Sequence, residues 1–206
     1  SSDERGSSYD RRQNCEDGKM IFVDNPLSSN QIQRCNEEID LWIKEKKFKR
    51  YRKEIMDKMN GSAHLSKLFQ RLSIEHGKEI VETIRPHLPD VGAVLFEVRY
   101  QLYSEGYNDH LHDHPWLYTV NIYLNDDYEG GEFYYQEENS YHEYHSETRD
   151  HSLAQHSSKP PIGMMGIIDQ NELHAVAPVT SGVRRSINIK AWDSTGPIDN
   201  RFVDYR

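Results

Sequence analysis

The chain has 206 residues, with 25 Lys and Arg against 34 Asp and Glu, so its formal charge is −9 with all 11 His neutral. A chain of this length folds as one domain with a substantial core, hiding roughly 70% of the surface its unfolded form exposes. The acid excess argues against sequence-independent nucleic-acid binding, which needs clustered Lys and Arg; with a mean hydropathy of −0.89, no run of about 20 apolar residues exists to span a membrane.

Residues 1–18 are polar and charged, the composition of a tail or linker that cannot order itself alone. A single domain is expected over 19–206. Ile21-Phe22-Val23 reads as a short strand. Ser28 and Ser29 then precede Ile32, Cys35, Ile39, Trp42 and Ile43, whose spacing predicts an amphipathic helix with a Ser cap. The basic stretch Lys44 to Lys53 reads as the solvated end of that helix. A second helix is predicted from about His64 to Arg85, with Leu65, Leu68, Phe69, Leu72, Ile80 and Ile84 on one face and Pro86 beyond its end.

From there the period changes. Val91 to Tyr103, Trp116 to Leu124 and Ile187 to Trp192 are rich in β-branched and aromatic residues, and Asn125 to Gly131 has the turn chemistry to join two strands. Helices followed by strands predict an α+β domain with helices covering one face of a sandwich or barrel. The strand-rich core is expected over about 91–193, interrupted by a polar loop insertion at about 136–159. A loop of that length without its own secondary structure is uncommon in a compact domain and marks either mobility or a functional lid.

More than half of the histidines fall between His110 and His156. Asp109-His110-Leu111-His112-Asp113-His114 holds three His and two Asp just before a strand. On an extended chain, residues i and i+2 point the same way. His110 with His112, or His112 with His114, can therefore converge on one metal ion. His174, in Glu172-Leu173-His174-Ala175, is the best candidate for a third ligand, because the strand after it carries alternating Arg184, Ser186, Asn188 and Lys190. Two ligands from one segment and one from a distant strand leave open positions, the arrangement of non-haem Fe(II) oxygenases. His64, His76 and His87 are expected to be surface residues, and His142, His145, His151 and His156 to face solvent in the loop. Cys15 and Cys35 could pair in an oxidising compartment and would stay free in a reducing one.

These features resemble the prolyl 4-hydroxylase-like branch of the 2-oxoglutarate and Fe(II)-dependent oxygenases. The resemblance rests on Tyr103 to His110, Thr119 to Asn125 followed by Gly130-Gly131-Glu132, the Pro161-Ile162-Gly163 turn, and His174 to Arg184 running into the strand that ends at Trp192. It implies a double-stranded β-helix, a cupin-like jelly roll with supporting N-terminal helices. It further implies Fe(2+) as cofactor and 2-oxoglutarate as co-substrate, with ascorbate as an optional accessory. His110 and His174 become iron ligands, Arg184 the partner of the far carboxylate of 2-oxoglutarate, and Tyr103, Tyr123 and Thr119 its pocket. Arg185, the neighbour of Arg184, is expected to face outward.

One departure stands out. Where the family has a carboxylate two residues after the first His, this chain has His112, so the metal set is expected as His110, His112 and His174, with Asp113 or His114 as the alternative second ligand. The activity implied is oxidative decarboxylation of 2-oxoglutarate coupled to hydroxylation of a prolyl or other residue in a protein or peptide, in preference to a free small molecule. The competing readings are a metal-binding jelly-roll module without turnover and a three-histidine dioxygenase that does not use 2-oxoglutarate. The triplet Asn60-Gly61-Ser62 is compatible with glycosylation, and the lumen of the secretory pathway (endoplasmic reticulum) is the compartment slightly favoured over the cytoplasm.

Overall fold

The computed structural model describes residues 21–50, 66–107, 114–136, 156–170 and 172–206. Strand β1 (Ile21–Val23) leads into helix α1 (Ser29–Lys44). A capping box starts that helix: the Ser28 hydroxyl accepts from the Gln31 amide at 3.1 Å, and the Gln31 side chain accepts from the Ser28 amide at 2.9 Å. Cys35 and Ile39 are fully buried from its apolar stripe, and burial pushes the Cys35 thiol pKa up. Cys15 lies outside the described residues.

The long second helix is not what forms. Lys67–Arg71 is a strand, β2, antiparallel to β3 (Leu95–Tyr103), and helix α2 spans only Ile74–Ile84. The Ser73 hydroxyl caps α2 by accepting from the His76 amide at 3.1 Å. A short apolar run such as Leu68-Phe69 carries no periodicity that separates strand from helix, and here the edge of β3 takes it. Leu68 turns into the core while Lys67, Phe69 and Arg71 turn to the opposite face. A 3₁₀ turn at Arg85–His87, with Pro86 inside it, closes α2.

Strands β4 (Tyr118–Tyr123), β5 (Glu129–Gly130), β6 (Phe133–Gln136), β7 (His156–Ser158), β8 (Met165–Asp169), β9 (Leu173–Val176), β10 (Val179–Ser181), β11 (Arg184–Trp192) and β12 (Val203–Asp204) complete the elements. The major sheet runs β1-β8-β4-β11-β3-β12, with β2 also on β3. A minor sheet is ordered β7-β6-β9, and β5 pairs with β10. This is the double-stranded β-helix expected, with its helices on the outer face of the major sheet. The polar stretch 136–159 is not all loop: Gln136 ends β6 opposite Leu173 of β9, and His156–Ser158 form β7 against Phe133–Tyr135 of β6, because strand pairing needs backbone groups rather than apolar side chains. Residues 137–155 lie outside the described residues. Among the described residues, no helix is long and apolar enough to cross a membrane.

Alternation gives the major sheet two unlike faces. Val98, Tyr100 and Leu102, Val120 and Ile122, and Ile187 and Ile189 pack with Ile39 of α1 and Ile80, Val81 and Ile84 of α2. Each such aliphatic side chain stabilises the fold by about 1.5–3 kcal/mol when fully buried. The inner face, toward the minor sheet, carries Gln101, Tyr103, Thr119, Asn121, Tyr123, Arg184, Ser186 and Asn188, all buried. A polar interior between two sheets has to be filled by partners or by a ligand.

Gly130-Gly131 positions the rim of this interior. Gly130 has φ +71°, and a Cβ there would fall 2.1 Å from the Pro178 carbonyl oxygen. The Gly131 amide donates to the same oxygen at 3.0 Å. Only glycine permits so close a backbone approach, which brings the β4–β6 connection against the turn leading to Arg184.

Candidate functional site

Arg184 opens β11 directly opposite Tyr103 of β3. Its guanidinium carbon lies 5.1 Å from the Tyr103 ring centre and 4.9 Å from that of Tyr123. The residue is 2% exposed, and its Nε and Nη1 have no hydrogen-bond partner among the described residues. The hydroxyls of Tyr123 and Tyr128 are buried and unpartnered in the same way. Burial works against the charge of Arg184, but the phenols of Tyr123, Tyr103 and Tyr128 outweigh it and hold its pKa above the ordinary value. The result is a permanent cation with two guanidinium nitrogens left unpartnered among the described residues. Tyr107 stacks on Tyr103 at 4.0 Å between ring centres, and Lys67 brings its Nζ to 5.5 Å from Tyr103 and 6.0 Å from Tyr107. Phe133, Ile168, Val176 and Val179 complete the apolar wall.

Arg185 takes the opposite face, as alternation requires, but it is not simply outward. Its Nη2 donates to Asp40 of α1 at 2.6 Å, tying the sheet to the helix layer.

Burial raises the Tyr123 pKa to about 12, with the charge of Arg184 acting in the other direction. Tyr123 is therefore a neutral donor throughout the physiological range. Because its pKa is higher folded than unfolded, it favours the folded state fully below the ordinary value of 10.0, and that contribution is lost as pH rises toward about 12. Tyr123→Phe is accordingly expected to flatten part of the fall in stability across this window, read as denaturation midpoint against pH; an unchanged slope would place Tyr123 in water.

His174 sits on β9 opposite Tyr135 of β6 and is 5% exposed. Its Nδ1 lies 3.0 Å from the Glu172 carbonyl oxygen, which assigns the proton to Nδ1 and leaves the Nε2 lone pair pointing inward. A backbone carbonyl on the far nitrogen is the usual support of a metal-binding imidazole. His114 faces it, with the two Nε2 atoms 2.9 Å apart. Two nitrogens each about 2.0–2.1 Å from one ion and at right angles would be about 2.9 Å apart, so this spacing suits adjacent ligands of an octahedral metal. His114 in turn stacks on Trp116 at 4.1 Å, with 16° between planes, and the Trp116 indole donates to the Thr119 hydroxyl at 2.7 Å.

Of the expected metal set, the structure thus brings together His174 and His114, the latter held only as an alternative. His110, His112 and Asp113 lie outside the described residues. Among the described residues, no group of three or more His, Cys, Asp or Glu forms a metal site. Thr119 lies on the inner face, where its hydroxyl holds Trp116. His76 is not the surface residue expected. It is buried at the base of α2, with Nδ1 3.2 Å from a Glu38 carboxylate oxygen that also accepts from the Tyr100 hydroxyl at 2.8 Å. His87 is half-buried; His64, His142, His145 and His151 lie outside the described residues, and His156 begins β7. Lys67, Tyr107, Tyr128 and Trp116 escaped the sequence reading. Only Tyr107 and Trp116 carried a signal, flanking the histidine cluster on either side.

No protein-family model matches the chain, and no curated protein sequence does. Solved structures do match. A prolyl-4-hydroxylase from Pseudomonas putida superposes with a TM-score of 0.65 at 13% identity, over 89% of this chain and 98% of its own. A prolyl hydroxylase from Trichoplax adhaerens, in complex with a peptide fragment of the hypoxia inducible factor oxygen degradation domain, gives 0.66 at 11% identity, over 90% and 89%. HygX from Streptomyces hygroscopicus, with nickel, 2-oxoglutarate and hygromycin B bound, gives 0.61 at 10% identity, over 90% and 87%. The fold of this chain is the jelly roll of these oxygenases.

Proposed function

We propose that this protein is a 2-oxoglutarate- and Fe(II)-dependent dioxygenase that hydroxylates a prolyl or other residue of a protein or peptide. The observation that carries the reading is Arg184: a buried guanidinium with two nitrogens unpartnered among the described residues needs an anion, and its planar fork suits a carboxylate. Its setting in the fold of metal- and 2-oxoglutarate-binding proteins makes 2-oxoglutarate the fitting dicarboxylate.

In this reading Arg184 holds the far carboxylate of 2-oxoglutarate, and Tyr123, neutral at working pH, donates its hydroxyl proton into the same pocket. Tyr103, Tyr107 and the apolar wall exclude water, which strengthens both contacts. His174 and His114 hold the metal, together with His112, which an extended segment would aim the same way as His114. The Glu172 carbonyl keeps the His174 proton on Nδ1, and Trp116, anchored on Thr119, holds the plane of the His114 ring. When bound, Fe(II) and 2-oxoglutarate supply the oxidising chemistry, consuming dioxygen and yielding succinate, carbon dioxide and a hydroxylated product. A peptide substrate is supported by the peptide held in the Trichoplax structure.

The test is binding followed by turnover. Titration calorimetry should show 2-oxoglutarate binding to the Mn(II)-loaded protein, and aerobic Fe(II) with ascorbate should then yield succinate. Binding without succinate would identify a metal-binding module without turnover; no binding at all would remove 2-oxoglutarate from the reading and leave the three-histidine alternative.

A further inference from the structure

The pocket around Arg184 holds more hydrogen-bonding capacity than Arg184 and Tyr123 account for. Tyr128, just before β5, is 2% exposed, and its hydroxyl is buried without a hydrogen-bond partner. An unsatisfied buried hydroxyl is destabilising, and Phe would fill the same space without that cost. Burial pushes the Tyr128 pKa up, with the charge of Arg184 acting in the other direction, so the hydroxyl keeps its proton at working pH. The carboxylates of Glu132 and Asp126 raise it further through space, yet neither accepts from it. The same phenol also acts on Tyr123 and Arg184, which places the three polar groups around one buried space.

The surrounding chain is shaped to hold this ring. Gly131 marks where ring and arginine meet: a Cβ there would lie 3.4 Å from Tyr128 Cε2 and 3.6 Å from Arg184 Cδ. Gly182, two residues before Arg184, is tighter still. Its φ is +74°, and a Cβ there would fall 2.7 Å from the Asp127 carbonyl oxygen and 3.0 Å from Tyr128 Cα, so only glycine lets the turn into β11 press against the backbone of Tyr128. Lys159 completes the arrangement. It follows β7 directly, and its Nζ donates to the Tyr128 carbonyl oxygen at 2.6 Å while standing 4.5 Å from the centre of the Tyr128 ring. One ammonium thus fixes the backbone and the ring of the same residue. Lys159 is itself exposed, so a change there leaves the core intact.

We propose that Tyr128 is a second phenol donor of the dicarboxylate pocket, and that Lys159 is the positioning residue that aims it. A carboxylate offers two oxygens and about four lone-pair sites. Arg184 can take two of them and Tyr123 one, which leaves capacity for the Tyr128 hydroxyl. The bound anion then satisfies a phenol that the protein leaves unsatisfied, and Lys159 ties the strand β7 of the minor sheet to an anion site on the major one. The inference rests on the reading of this pocket as the 2-oxoglutarate site and adds two residues to it.

The test is calorimetric titration of 2-oxoglutarate into the full chain loaded with Mn(II), together with melts of the ligand-free protein. Tyr128→Phe keeps the ring and is expected to weaken binding by about 10-fold or more, the loss of a hydrogen bond to a charged group. It should not lower the ligand-free melting temperature, as removal of a structural hydroxyl would. Lys159→Met should weaken binding by roughly 3-fold or more, and its effect should all but vanish in the Tyr128→Phe background, because the two residues act through one hydroxyl. Lys159→Arg, which keeps a donor and a cation over the ring, should restore the parent affinity. Unchanged affinity in Tyr128→Phe, a fall in its ligand-free melting temperature, or an effect of Lys159→Met that is absent or equally large in both backgrounds would each overturn the proposal.

Titration of glutarate into the metal-free chain separates this inference from the function it builds on, since glutarate carries both carboxylates but no 2-oxo group to chelate a metal. Glutarate binding that Tyr128→Phe weakens keeps the donor assignment even where no 2-oxoglutarate is turned over. Binding of 2-oxoglutarate that Tyr128→Phe leaves intact removes the donor assignment and leaves the dioxygenase reading standing, and failure of the parent to bind either ligand removes both.

Discussion

Arg184→Met is expected to raise the melting temperature of the ligand-free protein while abolishing its response to 2-oxoglutarate. The residue is 2% exposed with two guanidinium nitrogens unpartnered, so among the described residues its charge is buried without a counter-ion. Contacts with the Tyr103 and Tyr123 rings return about 0.5–2 kcal/mol each, less than the several kcal/mol lost on desolvating an ion. An unbranched apolar side chain removes that cost and can fill much of the same space. Binding moves the other way. Removing one partner of a buried, hydrogen-bonded charge pair costs about 2–5 kcal/mol, which at about 1.4 kcal/mol per decade is roughly 30-fold to several thousand-fold in 2-oxoglutarate affinity. Thermal melts with and without 2-oxoglutarate, paired with calorimetric titration, check both halves. A variant that melts well below the parent and still shifts with 2-oxoglutarate would show that Arg184 is a structural cation.

The proposed metal site makes the second large prediction, and its test decides the register of the histidine segment. His174→Ala and His114→Ala should each weaken Mn(II) or Co(II) binding by more than about 100-fold, since disturbing even the groups behind a ligand costs 10–100-fold. His112→Ala should do the same, while His110→Ala should leave affinity close to that of the parent. The visible spectrum of the Co(II) form reports ligand loss independently of activity. Loss in His110→Ala with retention in His114→Ala would restore the register in which His110 and His112 are ligands. It would also reduce the 2.9 Å approach of His114 to His174 to a hydrogen bond between imidazoles.

Much of the fold was legible because local chemistry and tertiary position agree. Ser28 with Gln31 spells a capping box, and the box forms. The β-branched and aromatic runs of β3, β4 and β11 form the centre of the major sheet. Alternation assigned Arg184 and Arg185 to opposite faces, and the faces lead to a tyrosine-walled pocket and to Asp40 respectively. The failures share one cause. Lys67–Arg71 reads as helix because its pairing partner, β3, is supplied by a later part of the chain. His156–Ser158 reads as loop because its pairing with Phe133–Tyr135 leaves no mark in side-chain polarity.

By itself, the sequence determined which residue types were available for chemistry: a dense histidine segment, a distant His174, and an arginine alternating along the last long strand. Period, caps and turn residues also specified most elements, because those signals act within a few residues of one another. Only the tertiary structure brought His114 to His174 and decided which cations share a face. His114 and His174 are separated by 60 positions, and Lys67 reaches Tyr103 only through strand register. Such meetings depend on how far one strand slides past another, and a shift of one residue would send every side chain to the other face.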